Sequence, residues 1–535
     1  MSSTRSILAS LAVVALLATA APALCAEPAE DLQRLVEQPE DVARLGARSV
    51  DMTGLKEFYR LRAYRPVWGE ADRVAADLQA AAAAEGLPAE AYAVPAAASV
   101  AAERDLLLSD AVIRLGRDVA VGRLPPSRAY GGVGVDSRPA FDGIAFLTAA
   151  AAGTPLAELV AGIAPSAAGY RQLMAAASRY RAIVQAHGWP VIPDGPSLRP
   201  GADDPRVKVL RRRLIASGDL DAQHDKGGVL DKPLMAALER FQRRHGLDAD
   251  GSVGKQTLAA LNVTAEERLQ QILVNLERWH WTPRNPEPTR IEINVAAQTL
   301  QLFEQGEPAL AMRVIVGDVK HPTPGMATPM TAIVLHPSWT VPPSIAGKEI
   351  LPKLQRDPHY LAANNMRIIG GPGDDSAGED VDWHQYHAGS FPYRLRQQPG
   401  PDNALGVMKF YLQDSDAIYL HDTPQRAFFK RSYRALSHGC IRLEKPDTLA
   451  KMLLGPTWDG KLAEALADKS TRTLHLEHSV PVSLLYWTAW ADADGSVHFR
   501  DDIYGHDSRL AAALKHPRAP QAAKGQVAEG GLKRL

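Results

Sequence analysis

The sequence predicts an α+β chain of several domains: a helical N-terminal part, a small three-helix module, and a mainly β C-terminal domain interrupted by a long insertion. Three observations predict it. Residues 27–190 are rich in Ala and Leu at helical spacing and carry few strand-like runs. The stretch 189–205 then holds five prolines and two glycines, which reads as a linker and a domain boundary. After Pro283–Pro288 the apolar period changes from that of a helix to that of a strand. A length of 535 residues corresponds to three or four such domains.

The chain opens like an exported protein. Met1–Arg5 carries one positive charge, Ile7–Ala20 is almost wholly apolar, and small residues follow to Ala26, so 1–26 reads as a secretory signal peptide. Its apolar run of 14 residues is short of the ~20 that a spanning helix needs, although a retained anchor stays open. Leu24 is bulky where a lipoprotein signal wants a small residue before Cys25. No later segment is apolar enough to span, so stable membrane insertion is not expected. A formal net charge of −1 supplies no broad basic surface, which argues against a nucleic-acid partner.

In residues 27–190, Leu55, Phe58, Tyr59 and Arg62 mark one helix face, and Leu106, Leu107, Val112, Ile113 and Leu115 mark another region. Pro66, Pro125-Pro126 and Pro165 break the pattern, and Trp68 is read as a core anchor. In 201–264, Val207, Leu210 and Leu214 set a first helix, Leu234, Leu238 and Phe241 a second, and Lys255–Leu261 a third, followed by a connecting helix over Glu266–Trp279. Asp248–Gly251 is too short for an EF-hand loop.

The mainly β domain spans 289–500. Strands are expected at Ile291–Val295, Gln298–Glu304, Met312–Val316, Thr331–Leu335 and Val407–Leu420. The insertion, about 340–405, holds a helix-like Ile345–Arg356 and a Gly- and Asp-rich stretch. Segments of this length are usually lids or binding loops. Trp383, Tyr386, Phe391 and Tyr393 contact a ligand or pin the loop, while His384 and His387 read as surface residues. Pro446–Leu454 reads as a helix, and Val482–Trp490 with Val497–Arg500 as a hairpin that closes the sheet. Residues 501–535 read as a tail, disordered over about the last twenty residues.

The chemistry concentrates in Ser437-His438-Gly439-Cys440-Ile441-Arg442-Leu443, which begins 16 residues after His421. The chain has two cysteines, Cys25 and Cys440, so removal of the signal at or after Cys25 leaves Cys440 as the one thiol. A lone thiol in an exported protein is an inert core residue or a reactive group. An isolated Cys is most often a small buried hydrophobe, but the neighbours here favour reactivity. A thiol attacks a carbonyl as its thiolate and needs a base or a positive charge nearby, and His421 and His438 are both candidates. Gly439 gives the backbone freedom to aim N–H groups at an oxyanion. Arg442 can hold a carboxylate in a bidentate pair. Zinc held by His421, His438 and Cys440 is the rival reading, but no CxxC or HExxH spacing occurs, so neither metal nor cofactor is expected.

With His421 upstream, the Ser437–Arg442 segment resembles the signature of the YkuD-type L,D-transpeptidase catalytic domain. The Tyr64–Trp68 and Gly122–Pro126 segments resemble the helical scaffold of large multi-domain L,D-transpeptidases. Leu238–Leu247 and Asp250–Asn262 resemble a peptidoglycan-binding domain, although a spacer of the same shape is the alternative. Pro342–Ala346 and Gly400–Gly406 resemble the substrate-capping subdomain of the same enzymes. The resemblance implies Cys440 as nucleophile, His421 as general base, and His438 with the backbone around Gly439 as oxyanion support. It implies that Arg442 and Ser437 shape the substrate site. The implied reaction is 3→3 crosslinking of peptidoglycan tetrapeptide stems in the periplasm, inhibited by carbapenems. Water as acceptor would make an L,D-carboxypeptidase, and a protein amine would tether a protein to the wall. A non-catalytic wall-binding scaffold ranks last, because both the Cys and the His are present. Wall-synthesis proteins are admitted as partners, and local basic patches hidden by the net charge can still bind anionic wall polymers.

Overall fold

The structure, a computed structural model, describes residues 26–515 apart from 46–47, 96–99, 131–137, 371–373, 414 and 416–417. The segment read as a signal peptide, up to Cys25, and the last twenty residues, expected to be disordered, therefore lie outside the described residues. Among the described residues no helix is long and apolar enough to cross a membrane.

The N-terminal part is helical, built on the long helix Ala101–Val121, whose Leu106, Val112 and Leu115 pack against Leu55, Phe58, Tyr59 and Leu78. A buried carboxylate organises it. Asp105 accepts from the Tyr59 hydroxyl (2.7 Å) and from the backbone N–H of Val67 (2.8 Å) and Trp68 (2.9 Å), tying the segment after Pro66 to the helix. Trp68 is half-buried, with its indole N–H on Ser109 Oγ at 3.0 Å. The helical reading missed one short antiparallel hairpin, Val42–Leu45 with Arg48–Asp51.

Helices Arg206–Ala216, Lys232–Arg244 and Lys255–Asn262 form the module around Leu210, Leu214, Leu234, Leu238 and Phe241. Its proline-rich approach is not loose. Trp189 donates to Val263 O (3.0 Å) under the Arg213 guanidinium, and Leu198 bridges to Val253. The helix Ala265–Trp279 starts from a capping box, Thr264 with Glu267, and then acts as a spine between domains. Its Asn275 holds Thr488 Oγ1 at 2.7 Å, its Arg278 pairs with Asp507 at 2.6 Å, and its Glu277 accepts from Leu124 N at 2.8 Å.

The C-terminal domain is one nine-stranded sheet: β1 Arg290–Asn294, β2 Thr299–Glu304, β3 Glu307–Gly317, β4 Met326–Leu335, β5 Met408–Leu412, β6 Leu420–His421, β7 Ala435–Ser437, β8 Ile441–Leu443 and β9 Arg472–Leu485. The order is β7-β3-β8-β6-β5-β4-β9-β1-β2, and β2 also pairs with β3, so the sheet closes on itself. Ile293, Leu302, Val314, Ile333, Phe410, Ile441 and Leu443 fill its core. Three expectations are corrected here. Val407–Leu420 is not one strand: β5 and β6 pair antiparallel, with Lys409 opposite His421. The hairpin Ala489–Ala491 and Val497–Phe499 does not close the sheet; it forms a separate two-stranded unit that packs on the helices Ala168–Gln185 and Ala265–Trp279. Residues read as tail include the helix His506–Lys515, whose first turn donates to Asp502 (His506 N at 2.7 Å, Asp507 N at 2.9 Å).

The insertion folds on itself. Trp339–Thr340, Leu395–Gln397 and Met366–Ile368 form a three-stranded sheet over Leu351, Leu354, Leu361 and Trp383. Trp383 is buried edge-on to Tyr393 (5.4 Å), and the Tyr386 and Tyr393 hydroxyls meet at 3.3 Å, so these aromatics hold the insertion together. Trp383→Ala is expected to remove about 3–5 kcal/mol of packing. Hydrogen exchange should then accelerate across 339–405 while the nine-stranded sheet keeps its protection.

Candidate active site

Strand pairing assembles the site. β6 runs parallel to β8 with Leu420 opposite Ile441 and His421 opposite Arg442, and Ile441 N donates to Tyr419 O at 3.1 Å. Because β5 pairs on the other side of β6, Lys409, Tyr419, His421, Cys440 and Arg442 converge. The predicted His421, Ser437, His438, Gly439, Cys440 and Arg442 all fall in this one region.

His421 is 4% exposed. Its Nδ1 lies 2.5 Å from Asp422 O. A carbonyl only accepts, so the proton sits on Nδ1 and Nε2 keeps its lone pair. Burial first, then the nearby Arg442 and Lys409, push the imidazole down to about 3, so it is neutral at physiological pH. Burial pushes the Cys440 thiol above its ordinary value, against the pull of hydrogen bonds from the Tyr419 backbone and hydroxyl and of the Lys409 and Arg442 charges. The Tyr419 hydroxyl also meets Trp339 of the insertion. An indole N–H can only donate, which leaves the phenol proton for the sulfur. Lys409 Nζ sits 4.0 Å from the centre of the Tyr419 ring.

The loop before Cys440 is braced from within. Ser437 is buried, and its hydroxyl donates to Cys440 O (2.6 Å) while accepting from Gly439 N (3.2 Å). Its hydroxyl thus serves the loop, and the Gly439 N–H is engaged there. Asp318 N donates to Ser437 O at 2.8 Å, and Thr323 Oγ1 donates to Gly439 O at 2.7 Å, fixing the loop to the end of β3. Gly439 has φ of 110°, and a Cβ there would meet Ile418 Cδ1 at 3.1 Å. Gly439→Ala is expected to cost about 1–3 kcal/mol in local strain. Turnover should fall while the circular dichroism spectrum stays that of the parent.

His438 is partly exposed, and its Nε2 meets Glu349 Oε1. Glu349 lies on a wide π-type turn, Ala346–Ile350, of the insertion, a feature often found at functional sites. The ring leans on His321 at 4.5 Å, and His321 Nδ1 is 3.0 Å from Asp318 Oδ1. Arg442 donates from Nη1 to Gln425 Oε1 at 2.7 Å, while its Nε is buried without a hydrogen-bond partner. An unsatisfied guanidinium N–H beside the thiol is a ready seat for an anionic group. No cluster of three or more His, Cys, Asp or Glu among the described residues is placed to hold a metal.

Sequence reasoning missed Tyr419, Lys409, Glu349 and Trp339 as parts of the site. Lys409 carried a signal, a cation inside an alternating apolar run. Glu349 carried none, being separated by 89 residues from its partner.

Three domain families match the chain. Residues 288–473 match the family described as "L,D-transpeptidase catalytic domain" (YkuD), 53–176 match "Scaffold domain", and 203–261 match "Putative peptidoglycan binding domain". A Haemophilus influenzae protein named "Putative L,D-transpeptidase" is 36% identical over 307 residues, covering 56% of this chain and 62% of that relative's length. The solved L,D-transpeptidase from Xylanimonas cellulosilytica aligns at 16% identity over 55% of this chain and 99% of its own, with a TM-score of 0.17, a likeness too remote to bear on the fold. On the three domain matches and the closed β domain that holds the cysteine loop, the chain carries an L,D-transpeptidase (YkuD) catalytic domain together with segments that match a scaffold domain and a putative peptidoglycan binding domain.

Proposed function

We propose that this protein is a peptidoglycan L,D-transpeptidase that forms 3→3 crosslinks outside the cytoplasm, in the periplasm. The observation that supports the reading is the parallel β6–β8 pairing, which sets a neutral His421, its Nε2 carrying the lone pair, beside the strand that leaves Cys440. The sulfur attacks the carbonyl of the diamino acid at position three of a tetrapeptide stem. His421 takes the thiol proton and passes it to the leaving D-alanine amine, and a thioester remains. The side-chain amine of a second stem attacks the thioester, His421 takes up its proton, and the thiol is restored. The His438 ring, fixed between Glu349 and His321, and the loop backbone are assigned to oxyanion stabilisation. Gly439 contributes the conformation that aims the loop. Arg442, with its unsatisfied Nε, is assigned to a stem carboxylate, and Ser437 to bracing the site. Carbapenems are expected to acylate Cys440.

Product analysis tests this. Mature protein incubated with tetrapeptide-bearing disaccharide fragments should yield dimers lacking one D-alanine. Tripeptide monomers alone would instead make the protein an L,D-carboxypeptidase, with water as acceptor. Dimers with no dependence on Cys440 would sink both.

The thiol and imidazole are expected to rest as a neutral pair, which gives a pH prediction. Thiolate is the alkylated species, and the Cys440 pKa is raised by burial. Iodoacetamide should therefore modify Cys440 slowly at pH 7, and its rate should climb with pH until it levels off beyond the ordinary thiol range. Mass spectrometry across pH 6–11 would read this directly. A plateau already reached at neutral pH would mean a preformed thiolate.

A further inference from the structure

A cavity of about 760 Å³ opens between the three-helix module and the catalytic domain, and Cys440 does not line it. Its walls are fixed to each other. Arg244 Nη1 donates to Val497 O and Arg500 Nη1 to Arg244 O, both at 2.9 Å, and a Cβ on Gly246 would come within 2.7 Å of Arg500 Nε. The groove is therefore a property of the docked domains and not of either alone.

Its charge is one-sided. Seven cations line it against two carboxylates, Asp248 and Asp501. Arg268, Arg434 and Arg500 reach it from buried or half-buried positions, and none forms an ion pair among the described residues. Backbone carbonyls take up the Arg434 N–H groups: Val314 O, Gln298 O, Arg431 O and Ser432 O. Arg268 Nε is buried with no hydrogen-bond partner. Burial pushes all three guanidinium groups down only to about 10, so they remain charged at neutral pH. Arg243, Arg313, Lys430 and Arg431 add exposed charge at the rim, of which Arg243 meets Glu239 at 3.6 Å and Arg313 meets Glu444 at 3.3 Å. Tyr433, 44% exposed, also lines the groove. Buried cations without carboxylate partners are costly unless an anion completes them. A net charge of −1 makes this local concentration stand out further.

The groove also communicates with the active site by covalent continuity. The loop that leaves His421 carries Gln425 against Arg442 and then supplies Lys430–Arg434 to the groove before returning to Ser437 and Cys440.

We propose that this groove is a second substrate-recognition site, which takes the carboxylates of stem peptides on a neighbouring wall glycan strand while Tyr433 faces the sugar. The inference rests on the peptidoglycan reading of the catalytic site. It assigns to the junction of module and catalytic domain a role in holding polymer that a short soluble fragment does not need.

The test is co-sedimentation with purified sacculi, using full-length mature protein carrying Cys440→Ala so that no covalent capture occurs. The parent is compared with a triple variant, Arg243→Gln, Lys430→Gln and Arg431→Gln, all at exposed positions outside the catalytic site. The triple variant should bind intact sacculi about tenfold more weakly. Parent and variant should bind equally to sacculi stripped of stems by an amidase, and their difference should shrink at about 0.5 M salt. Equal binding of parent and variant to intact sacculi overturns the proposal, as does parent binding to stripped glycan that matches intact wall. Dimer formation from soluble fragments, assayed with Cys440 intact, reports separately on catalysis. Failure there sinks the transpeptidase reading, and the sacculus result still judges the groove.

Discussion

Replacing Cys440 by alanine is expected to lower crosslink formation by roughly 10⁴-fold or more, because nucleophile and base act as a unit and the reaction has no route without the thioester. The fold should survive. Cys440 lies between residues whose hydrogen bonds are mostly backbone or through Ser437, and the variant keeps the carbonyl that accepts from the Ser437 hydroxyl. Melting temperature and sacculus binding should therefore remain close to the parent values while dimers disappear from the product spectrum. Residual dimers at a tenth of the parental rate would contradict a covalent role for this sulfur.

His421→Ala is the second large effect, a loss of about 10²–10⁴ in kcat/KM. The size follows from position. The ring is buried, its tautomer is set by Asp422 O, and its low basicity keeps it neutral across the working range. The other imidazole close in the chain to Cys440, His438, engages Glu349 through its Nε2. Lys409 and Arg442 are cations, and burial and the adjacent sulfur hold the Tyr419 phenol well above its ordinary value. The sign of the pH effect follows. A His421 proton affinity depressed to about 3 means that acidification from pH 7 to 5 should not protonate the base, so this range should show no acid limb from His421 in kcat/KM. If alanine instead costs less than tenfold, another group carries the proton. Cys440 alkylation in the variant would then tell whether the thiol itself was altered.

The candidate site was legible in the sequence because the residues that suggest it are mostly close together in the chain. Six of its residues sit at 421 and within 437–442, and glycine, histidine and cysteine at that spacing leave little else to do. The partners that arrive by tertiary pairing were not legible. Tyr419 and Lys409 reach the sulfur only because β5 turns back on β6, and the alternation from Val407 to Leu420 hid that turn. The cue was present in Asp414-Ser415-Asp416, where the Ser415 hydroxyl accepts from Ile418 N at 2.9 Å. Glu349 and Trp339 come from the insertion, where no periodicity fixes which face meets the cysteine loop. The helix His506–Lys515 was overlooked because its start signal is the carboxylate of Asp502, four residues before the helix begins. The closure of the sheet between β2 and β3 likewise depends on long-range pairing that alternation alone does not specify.

The most direct test of a covalent mechanism is the mass of the intact protein after brief mixing with a disaccharide-tetrapeptide donor and no acceptor, followed by acid quench and peptide mapping. The expected result is an adduct equal to the donor minus one D-alanine, carried on the peptide that contains Cys440 and absent from Cys440→Ala. An adduct on any other residue, or release of D-alanine with the protein mass unchanged at every quench time, would contradict it.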